Sequence, residues 1–266
     1  MKLYYGFDKP VWAQYFIQLF GILHGNLGYA LSTGHLVLQD IADVLPATFR
    51  LAGTALGLAL LIAFTIVTVA NLVQARRVHD AIVMLPPLMS AIPTFWLGMV
   101  LLRLLSFRLQ VMSLFPDGSA LSLLVPALVL AIYLAAPLAQ VMLKSVDAAR
   151  TQPFVDVVRA KGAGRAWVYL RHLLKYAAGS GLTVLGVQIG GLLGGAVVTE
   201  TVFSRPGVGR ILEDAVANQD IALVQAFVLL IAALYVVVNF TIDLIYPLLD
   251  PRIRMTGAPP MEAAGT

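Results

Sequence analysis

The hydropathy pattern of the chain consists of long apolar runs separated by short polar segments. A helix needs about 20 residues to cross a bilayer, whereas a transmembrane β-strand needs only about 9–11 alternating ones. Five runs have the helical length and predict five spanning helices, at residues 47–73, 81–105, 120–143, 177–203 and 221–249. The pattern therefore predicts an all-α, polytopic membrane protein built as a helical bundle.

Composition supports a membrane protein and excludes several kinds of site. The chain is 59% hydrophobic and only 12% charged, whereas soluble domains are about 25% charged. It contains no cysteine, which excludes disulfides and thiolate metal ligands. Its four histidines are scattered without the spacing of a ligand pair, so we predict no metal site. No basic patch with interleaved aromatic residues recurs, so nucleic acid is not an expected partner.

The segment before the first predicted span differs from the rest of the chain. Its apolar stretch Val11–Leu23 is too short to cross a bilayer and fits an interfacial helix. The glycine-rich stretch HGNLGYALSTG that follows predicts a loop. We therefore divide the chain into an N-terminal segment, residues 1–46, a membrane domain, residues 47–254, and a tail, residues 255–266.

Residues 144–176, between the third and fourth predicted spans, form a basic loop. They contain seven of the chain's eighteen Lys and Arg residues. Thr151 is suited to cap a short helix, and Pro153 is suited to its first turn. Gly162 and Gly164 then provide the stop before a second helix. One face of the first helix is predicted to carry four residues: Phe154, Val157, Val158 and Lys161.

The distribution of Lys and Arg predicts the orientation of the chain. Residues 144–175, residues 74–80 and the C-terminal residues 250–266 together hold eleven of them, whereas residues 106–118 and 204–220 hold three. The positive-inside rule makes the first set cytoplasmic, and with it the C-terminus, and places residues 1–46 outside. A connector whose charges only set this orientation is the simplest alternative to a functional basic loop.

Catalytic motifs are missing from the chain. It has no Walker A sequence, no H-E-x-x-H and no G-x-S-x-G. The stretch KGAG at residues 161–164 is not a phosphate-binding loop, because no Lys-Ser or Lys-Thr follows the glycines. We therefore predict that the chain is not an enzyme.

Polar groups within or next to the predicted spans are candidates for a solute path, because burying them in hydrocarbon is costly. Five residues are assigned to the translocation pathway or outer gate: Gln140, Gln188, Glu200, Arg205 and Asn239. Hydrogen bonding between helices is the alternative role for these side chains. Three glycines spaced by four in the fourth span predict close helix packing: Gly186, Gly190 and Gly194.

Several separated stretches resemble the membrane-spanning permease subunit of bacterial ABC importers, in the dipeptide, oligopeptide and nickel branch. The resemblance runs from about Phe7 to Arg254 and implies a type I importer fold. It rests on six stretches: DKPVWAQYFIQLFGILHGNLGYAL, LPATFRL, AIPTFWLGMVLL, FVDVVRAKGAGRAWVYLRHLLK, TETVFSRPGVGRILEDAVANQD and LLDPRIR.

The fourth of these stretches resembles the coupling loop, or EAA motif, of the family. Members form a short helix here that docks in a cleft of the ATP-binding subunit. The resemblance assigns this docking to eight residues: Phe154, Asp156, Val157, Val158, Arg159, Ala160, Lys161 and Gly162.

The chain departs from the family pattern at three places. Val157 and Val158 stand where the family usually has alanine, so larger side chains must fit the same cleft. A proline common in the family near Ser180 is absent. The family also has a spanning helix ahead of the segment that matches residue 1. From this we expect a shortened or mis-started chain, or a natural loss of that helix.

The resemblance implies the permease subunit of an ATP-driven, binding-protein-dependent importer in the bacterial inner membrane. The implied solutes are di- or oligopeptides, or nickel and its chelates. The implied partners are ATP-binding subunits that hold the ATP and Mg, a second permease, an extracytoplasmic solute-binding protein and lipid. The chain itself is expected to bind no cofactor. Two alternatives stay open: a secondary transporter or channel that works alone, and an assembly subunit without a conduit.

Overall fold

The computed structural model of the protein describes residues 10–113 and 117–249. Within these residues the structure is helical, apart from an isolated β-bridge between Tyr29 and Leu36. The α-helices in this part of the chain are α1 Val11–Leu23, α2 Val37–Leu72, α3 Arg76–Ala91, α4 Thr94–Leu102, α5 Ala120–Arg150, α6 Pro153–Ala160, α7 Arg165–Val168, α8 Leu174–Val202, α9 Val208–Ala217 and α10 Ile221–Leu249. Two π-helical turns extend them: Arg103–Arg108 after α4, and Tyr169–Leu173 between α7 and α8. The all-α prediction is confirmed.

Between three and five membrane crossings are available in the described residues. Helices α2 and α5 and the Ile221–Thr241 part of α10 are each long and apolar enough to cross alone. Two bent pairs meet the same test together: α3 with α4 and its π turn, and residues 165–192 with residues 194–202. The prediction of about five spans holds if each bent pair crosses once.

The second predicted span, residues 81–105, is broken in the structure. Helices α3 and α4 meet at an angle of 94°. Ile92 lies between them in an extended conformation, with φ −89° and ψ 118°. The residue before a proline is pushed away from helical geometry, so Pro93 explains the break. Pro86 and Pro87, by contrast, lie inside α3.

The core of the bundle is the contact between α2 and α5. Its buried positions are mostly alanine: Ala52, Ala55, Ala59, Ala63 and Ala70 on α2, and Ala127, Ala131, Ala135 and Ala139 on α5. Small side chains let helix backbones approach closely, which increases their van der Waals contact. Helix α8 packs on the other side of α5, and α10 packs on α8 and α9.

Helix α2 begins at Val37, well before the predicted start of the first span at residue 47. Hydropathy detects the apolar part of a helix, and the first turns of α2 carry Asp40 and Asp43. An acid in the first turn stabilises a helix through its dipole, so the helix extends beyond its apolar run.

The N-terminal segment has the predicted short helix and loop. Helix α1 has the predicted bounds, and the loop that follows reaches the start of α10. Asp220 accepts hydrogen bonds from the backbone N–H and the hydroxyl of Ser32, both at 2.9 Å, and from the N–H of Leu223 at 3.2 Å. The carboxylate therefore fixes the loop and also caps α10.

We expect Asp220→Asn to lower the free energy of unfolding by about 2 kcal/mol at neutral pH, because hydrogen bonds to a charged acceptor are lost. Burial alone would raise the pKa of Asp220, but hydrogen bonds from Ser32, Leu223 and Leu31 outweigh it and hold the pKa below its usual value. A depressed pKa contributes stability above the unfolded value of about 3.9, and this contribution is lost as pH falls through the folded pKa.

The measurement is thermal unfolding of the purified protein at pH 7 and at several values below pH 4. The difference between the wild type and Asp220→Asn should shrink as the pH falls. Asp214→Asn is the control, because that exposed carboxylate makes only a surface pair with Arg210 at 3.6 Å. A loss that is the same at every pH would contradict the role of the ionised carboxylate.

Candidate functional site

Helix α6 is a short, separately bounded helix between α5 and α7. Pro153 occupies its first turn, and the preceding Gln152 is extended. The predicted capping role of Thr151 is wrong, because its hydroxyl donates to the Ala148 carbonyl of α5 at 2.9 Å. Gly162 ends the helix at φ +83°, a left-handed conformation that favours glycine, and donates to the Arg159 carbonyl at 2.9 Å. The predicted end of the helix at Gly162 is present, and its cause is the left-handed backbone conformation of that glycine.

The inner face of α6 holds it against the rest of the chain. Val155 is fully buried, and Phe154 and Val158 are half-buried against the main core. The ring of Phe154 stacks on Tyr176 with a centroid distance of 5.7 Å and an interplanar angle of 11°. Its centroid also lies 6.1 Å from that of His172. The side chain of Phe154 thus links α6 to the first turn of α8.

This arrangement corrects the predicted apolar face of α6. Phe154, Val155 and Val158 point inward, whereas Val157 is 56% exposed and Lys161 is exposed. Either set of residues could share one face of a helix by its spacing. The burial of Val155 shows which face packs against the core. The outward surface carries six of the eight residues assigned to docking: Asp156, Val157, Arg159, Ala160, Lys161 and Gly162.

At the far end of α8, Glu200 is fully buried in a network of hydrogen bonds. Its Oε1 accepts from the Thr48 hydroxyl of α2 at 2.6 Å, and its Oε2 accepts from the Gly209 N–H of α9 at 2.7 Å. The Thr48 oxygen in turn accepts from the Val208 N–H at 3.0 Å. This carboxylate therefore joins the start of α9 to both α8 and α2. We call the contacts of Glu200, Thr48, Val208 and Gly209 the Glu200 clasp.

Arg205 extends the Glu200 clasp toward α5. Its guanidinium donates to the carbonyl of Ser122, near the start of α5, and its charge acts on Glu200. Its backbone N–H donates to the Glu200 carbonyl at 2.9 Å. The sequence assigns Glu200 and Arg205 to the pathway or outer gate. The structure brings them together, where their hydrogen bonds hold the loop between α8 and α9 against α2 and α5.

Two glycines at the start of α9 have no room for a side chain. A Cβ at Gly207 would clash with the carboxylate of Glu200, and a Cβ at Gly209 would clash with the backbone of Val197. The local sequence signal for this site is a Gly-x-Gly at the start of a helix. No such signal marks Thr48, because it lies 152 residues away from Glu200 along the chain.

The other polar candidates make hydrogen bonds within the bundle. The amide of Gln140 donates to the Ser90 hydroxyl of α3 at 3.0 Å. That of Gln188 donates to the Leu134 carbonyl of α5 at 3.5 Å. The amide of Asn239 donates to the Tyr235 carbonyl of its own helix at 2.8 Å. The contacts of Gln140 and Gln188 favour the alternative of hydrogen bonding between helices, whereas the contact of Asn239 stays within α10.

The predicted glycine stripe of α8 is only partly a packing surface. Gly186 is buried, and a Cβ at Gly190 would lie 2.5 Å from the Tyr235 ring of α10. A Cβ at Gly194 would meet nothing within 4 Å, so its assignment to packing is wrong. A Cβ at Gly195 would instead lie 2.8 Å from Cδ1 of Leu130. The 52° bend between residues 192 and 194 changes which glycine faces the bundle.

Comparison with protein families connects this geometry to a known class. Residues 67–255 match the family described as binding-protein-dependent transport system inner membrane component. The chain belongs to this family. The family's description makes it a membrane component of a binding-protein-dependent transport system. The resemblance to ABC importer permeases stated from the sequence is thereby confirmed.

Individual relatives in the family match nearly the whole chain. The dipeptide transport system permease protein DppB of Escherichia coli (strain K12) is 30% identical over 94% of this chain and 83% of its own length. The di/tripeptide transport system permease protein DppB of Pseudomonas aeruginosa (strain UCBPP-PA14) is 34% identical, over 94% and 82%. The glutathione transport system permease protein GsiC of Salmonella typhi is 31% identical, over 94% and 81%.

Solved structures show that the fold is shared. The MetNI methionine ABC transporter in an inward-facing conformation matches with a TM-score of 0.66 at 14% identity, over 80% of this chain and 97% of that one. An amino acid ABC transporter matches with a TM-score of 0.58 at 16% identity, over 81% and 94%. At these identities the likeness concerns the fold, and it confirms the type I importer architecture.

We expect Gly207→Ala to destabilise the loop between α8 and α9 by about 1–3 kcal/mol, the usual cost of forcing an extra group into a packed site. The backbone at Gly207 is extended, so the penalty comes from the contact with Glu200 alone. Gly191→Ala is the matched control, because a Cβ there meets nothing within 4 Å. Thermal unfolding and limited proteolysis of α9 provide the measurement. Equal behaviour of the two variants would rule out the Glu200 clasp as the reason for the glycine.

Proposed function

We propose that this chain is the permease subunit through which small peptides cross the bacterial inner membrane in an ATP-driven importer. The observation that carries the proposal is the match of 30–34% identity, over 94% of the chain, to permeases of dipeptide and di/tripeptide transport systems. The names of these relatives favour peptides over the nickel that the sequence resemblance also allowed.

Helix α6 is proposed as the docking element for the ATP-binding subunit. Its outward surface presents the charged Asp156, Arg159 and Lys161 together with the exposed apolar Val157. Its inner surface packs against the chain's own core. The excess of Lys and Arg around it supports a cytoplasmic location, and with it a cytoplasmic C-terminus. ATP and Mg are assigned to the partner subunits, so the chain contributes no catalytic group.

The opposite end of the bundle is proposed to face the solute-binding protein. Helices α6 and α9 lie before and after α8 in the chain, so they occupy opposite ends of that helix. With α6 in the cytoplasm, α9 and the Glu200 clasp face the outside. A second permease is the remaining partner. The exposed apolar residues of α10 are available to it or to lipid: Val228, Leu229, Tyr235, Val236, Val237, Phe240 and Leu244.

Helix α8 provides the physical connection between the two ends. Closure of the ATP-binding subunits would displace α6, and the stacking of Phe154 on Tyr176 passes that displacement to the start of α8. The far end of α8 carries Glu200, which is bonded to α9 and α2. A rigid-body movement of α8 would therefore shift the outer loop when the coupling helix moves.

The function is tested by deleting the gene in its host and measuring uptake of a radiolabelled dipeptide, with the wild-type gene restored as a check. Uptake of the dipeptide should be lost, whereas uptake of the free amino acid should be unchanged. Nickel uptake is measured in parallel. Loss of nickel uptake with normal dipeptide uptake would overturn the proposed solute but leave the importer assignment in place.

The docking role of α6 is tested with Val157→Glu, which places a carboxylate in the middle of the proposed interface. Val216→Glu is the matched control, because Val216 is 59% exposed on α9, against 56% for Val157 on α6. An unpaired charge buried at an interface weakens association by more than about tenfold. We expect Val157→Glu to lose the ATP-binding subunit on co-purification and Val216→Glu to keep it. Retention of the subunit by both variants, at normal membrane levels, would contradict the assignment.

A further inference from the structure

A cavity lined by three arginines lies where α2, α5, α6 and α7 come together. Its walls include Arg150 at the end of α5, Arg159 on α6 and Arg165 at the start of α7. Asn71 of α2 and Tyr169 line the same space. In the sequence these arginines are part of the basic loop, and Arg159 is also one of the residues assigned to docking. Their convergence on one cavity is visible only in the structure.

One of the three guanidinium groups is held in place. Arg150 donates a hydrogen bond to Oδ1 of Asn71 and lies 3.3 Å from Oδ1 of Asp147. Asn71 is itself fixed, because its amide donates to the Val67 carbonyl at 2.6 Å. Tyr169 is fixed as well, since its hydroxyl lies 3.0 Å from that of Thr68. One side of the cavity is therefore rigid before any ligand arrives.

The other two guanidinium groups have no counter-charge of their own. Among the described residues, no carboxylate lies within ion-pair distance of Arg159 or Arg165. Both are close enough to Arg150 for their positive charges to act on it. Like charges around one cavity repel each other unless an anion compensates them. The arrangement is therefore suited to receive an anion from outside the chain.

The position of the cavity identifies the class of anion. Asn71 lies in the last turn of α2 and Arg150 is the last residue of α5, so the cavity is at the depth where two candidate spans end. Lipid phosphates lie near the ends of membrane-spanning helices, and basic pockets between such ends are suited to anionic headgroups. The planar fork of arginine also matches the oxygens of a phosphate group. Val168 and Leu173 add an apolar wall.

We propose that Arg150, Arg159 and Arg165 form a binding site for an anionic phosphate group, supplied by a lipid headgroup or by free phosphate. A phosphate bound there would contact α5, α6 and α7 together. It would then hold the base of the coupling helix to the bundle through charge, in addition to the apolar contacts of Phe154 and Val155. The proposal goes beyond the assigned transport function and holds for any transported solute.

The test uses the full chain, purified in detergent and freed of lipid, in four forms. They are the wild type, Arg159→Gln/Arg165→Gln, Arg159→Lys/Arg165→Lys and Arg171→Gln. Arg171 is an exposed arginine of the same segment that does not line the cavity, so it controls for loss of charge alone. Native mass spectrometry compares binding of phosphatidylglycerol with that of phosphatidylcholine, whose choline offsets the phosphate charge. Thermal unfolding in sodium phosphate and in sodium chloride of equal ionic strength tests free phosphate.

We expect the wild type to bind phosphatidylglycerol in preference to phosphatidylcholine. The double glutamine variant should bind phosphatidylglycerol roughly thirtyfold more weakly, because it lacks two cations that would attract the anionic headgroup. Arg171→Gln should match the wild type, and the double lysine variant should retain most of the binding. A phosphate-specific rise in the unfolding temperature of the wild type, absent from the glutamine variant, would support the site with free phosphate as the ligand.

Three results would overturn the proposal. The first is no preference for phosphatidylglycerol together with no effect of phosphate. The second is an equal loss of binding in Arg171→Gln. The third is normal lipid and phosphate binding by the glutamine variant with loss of the ATP-binding subunit, which would assign the arginines to a protein contact. If the glutamine variant does not fold, loss of binding in a folded lysine variant of unchanged charge would also count against a site based on charge.

Discussion

The close contact between α2 and α5 is the constraint on which both ends of this molecule depend. Alanines on the two helices bring their backbones together along the bundle. At one end this contact lets Asn71 reach Arg150, and at the other the same helices present Thr48 to Glu200 and the Ser122 carbonyl to Arg205. Larger side chains between the helices would move both sets of partners apart, so packing in the middle determines polar geometry at the ends.

The polar groups of the described bundle are used mainly to hold helices in position. Glu200 is buried and hydrogen-bonded, Gln140 and Gln188 join neighbouring helices, and Asp220 ties the N-terminal loop to α10. A carrier driven by ions would instead place ionisable groups near mid-membrane, facing a cavity. The polar groups in the described part of the chain thus do not form the mid-membrane cluster that an ion-driven carrier would need.

Local features were predictable from the sequence, whereas contacts between distant residues were not. The Gly162 stop and the bounds of α1 follow from short-range patterns, and both are present. The inward orientation of Val155 could not be inferred, because alternative faces of an eight-residue helix fit the same spacing. The Glu200 clasp depends on Thr48, which no local pattern connects to it. Gly194 was misassigned because the bend in α8 interrupts the regular spacing on which the prediction relied.

The two faces of α6 have different surroundings. The inner positions, Phe154, Val155 and Val158, pack against this chain's own core, whereas Asp156, Val157 and Ala160 on the outer face are exposed. Substitutions at these exposed positions would therefore leave the fold intact. Under the docking role proposed for α6, a lineage of duplicated transporters could in this way acquire new ATP-binding subunits while keeping the same membrane bundle. Under the same proposal, these positions are where protein engineering could match a permease to a foreign ATPase by a few substitutions.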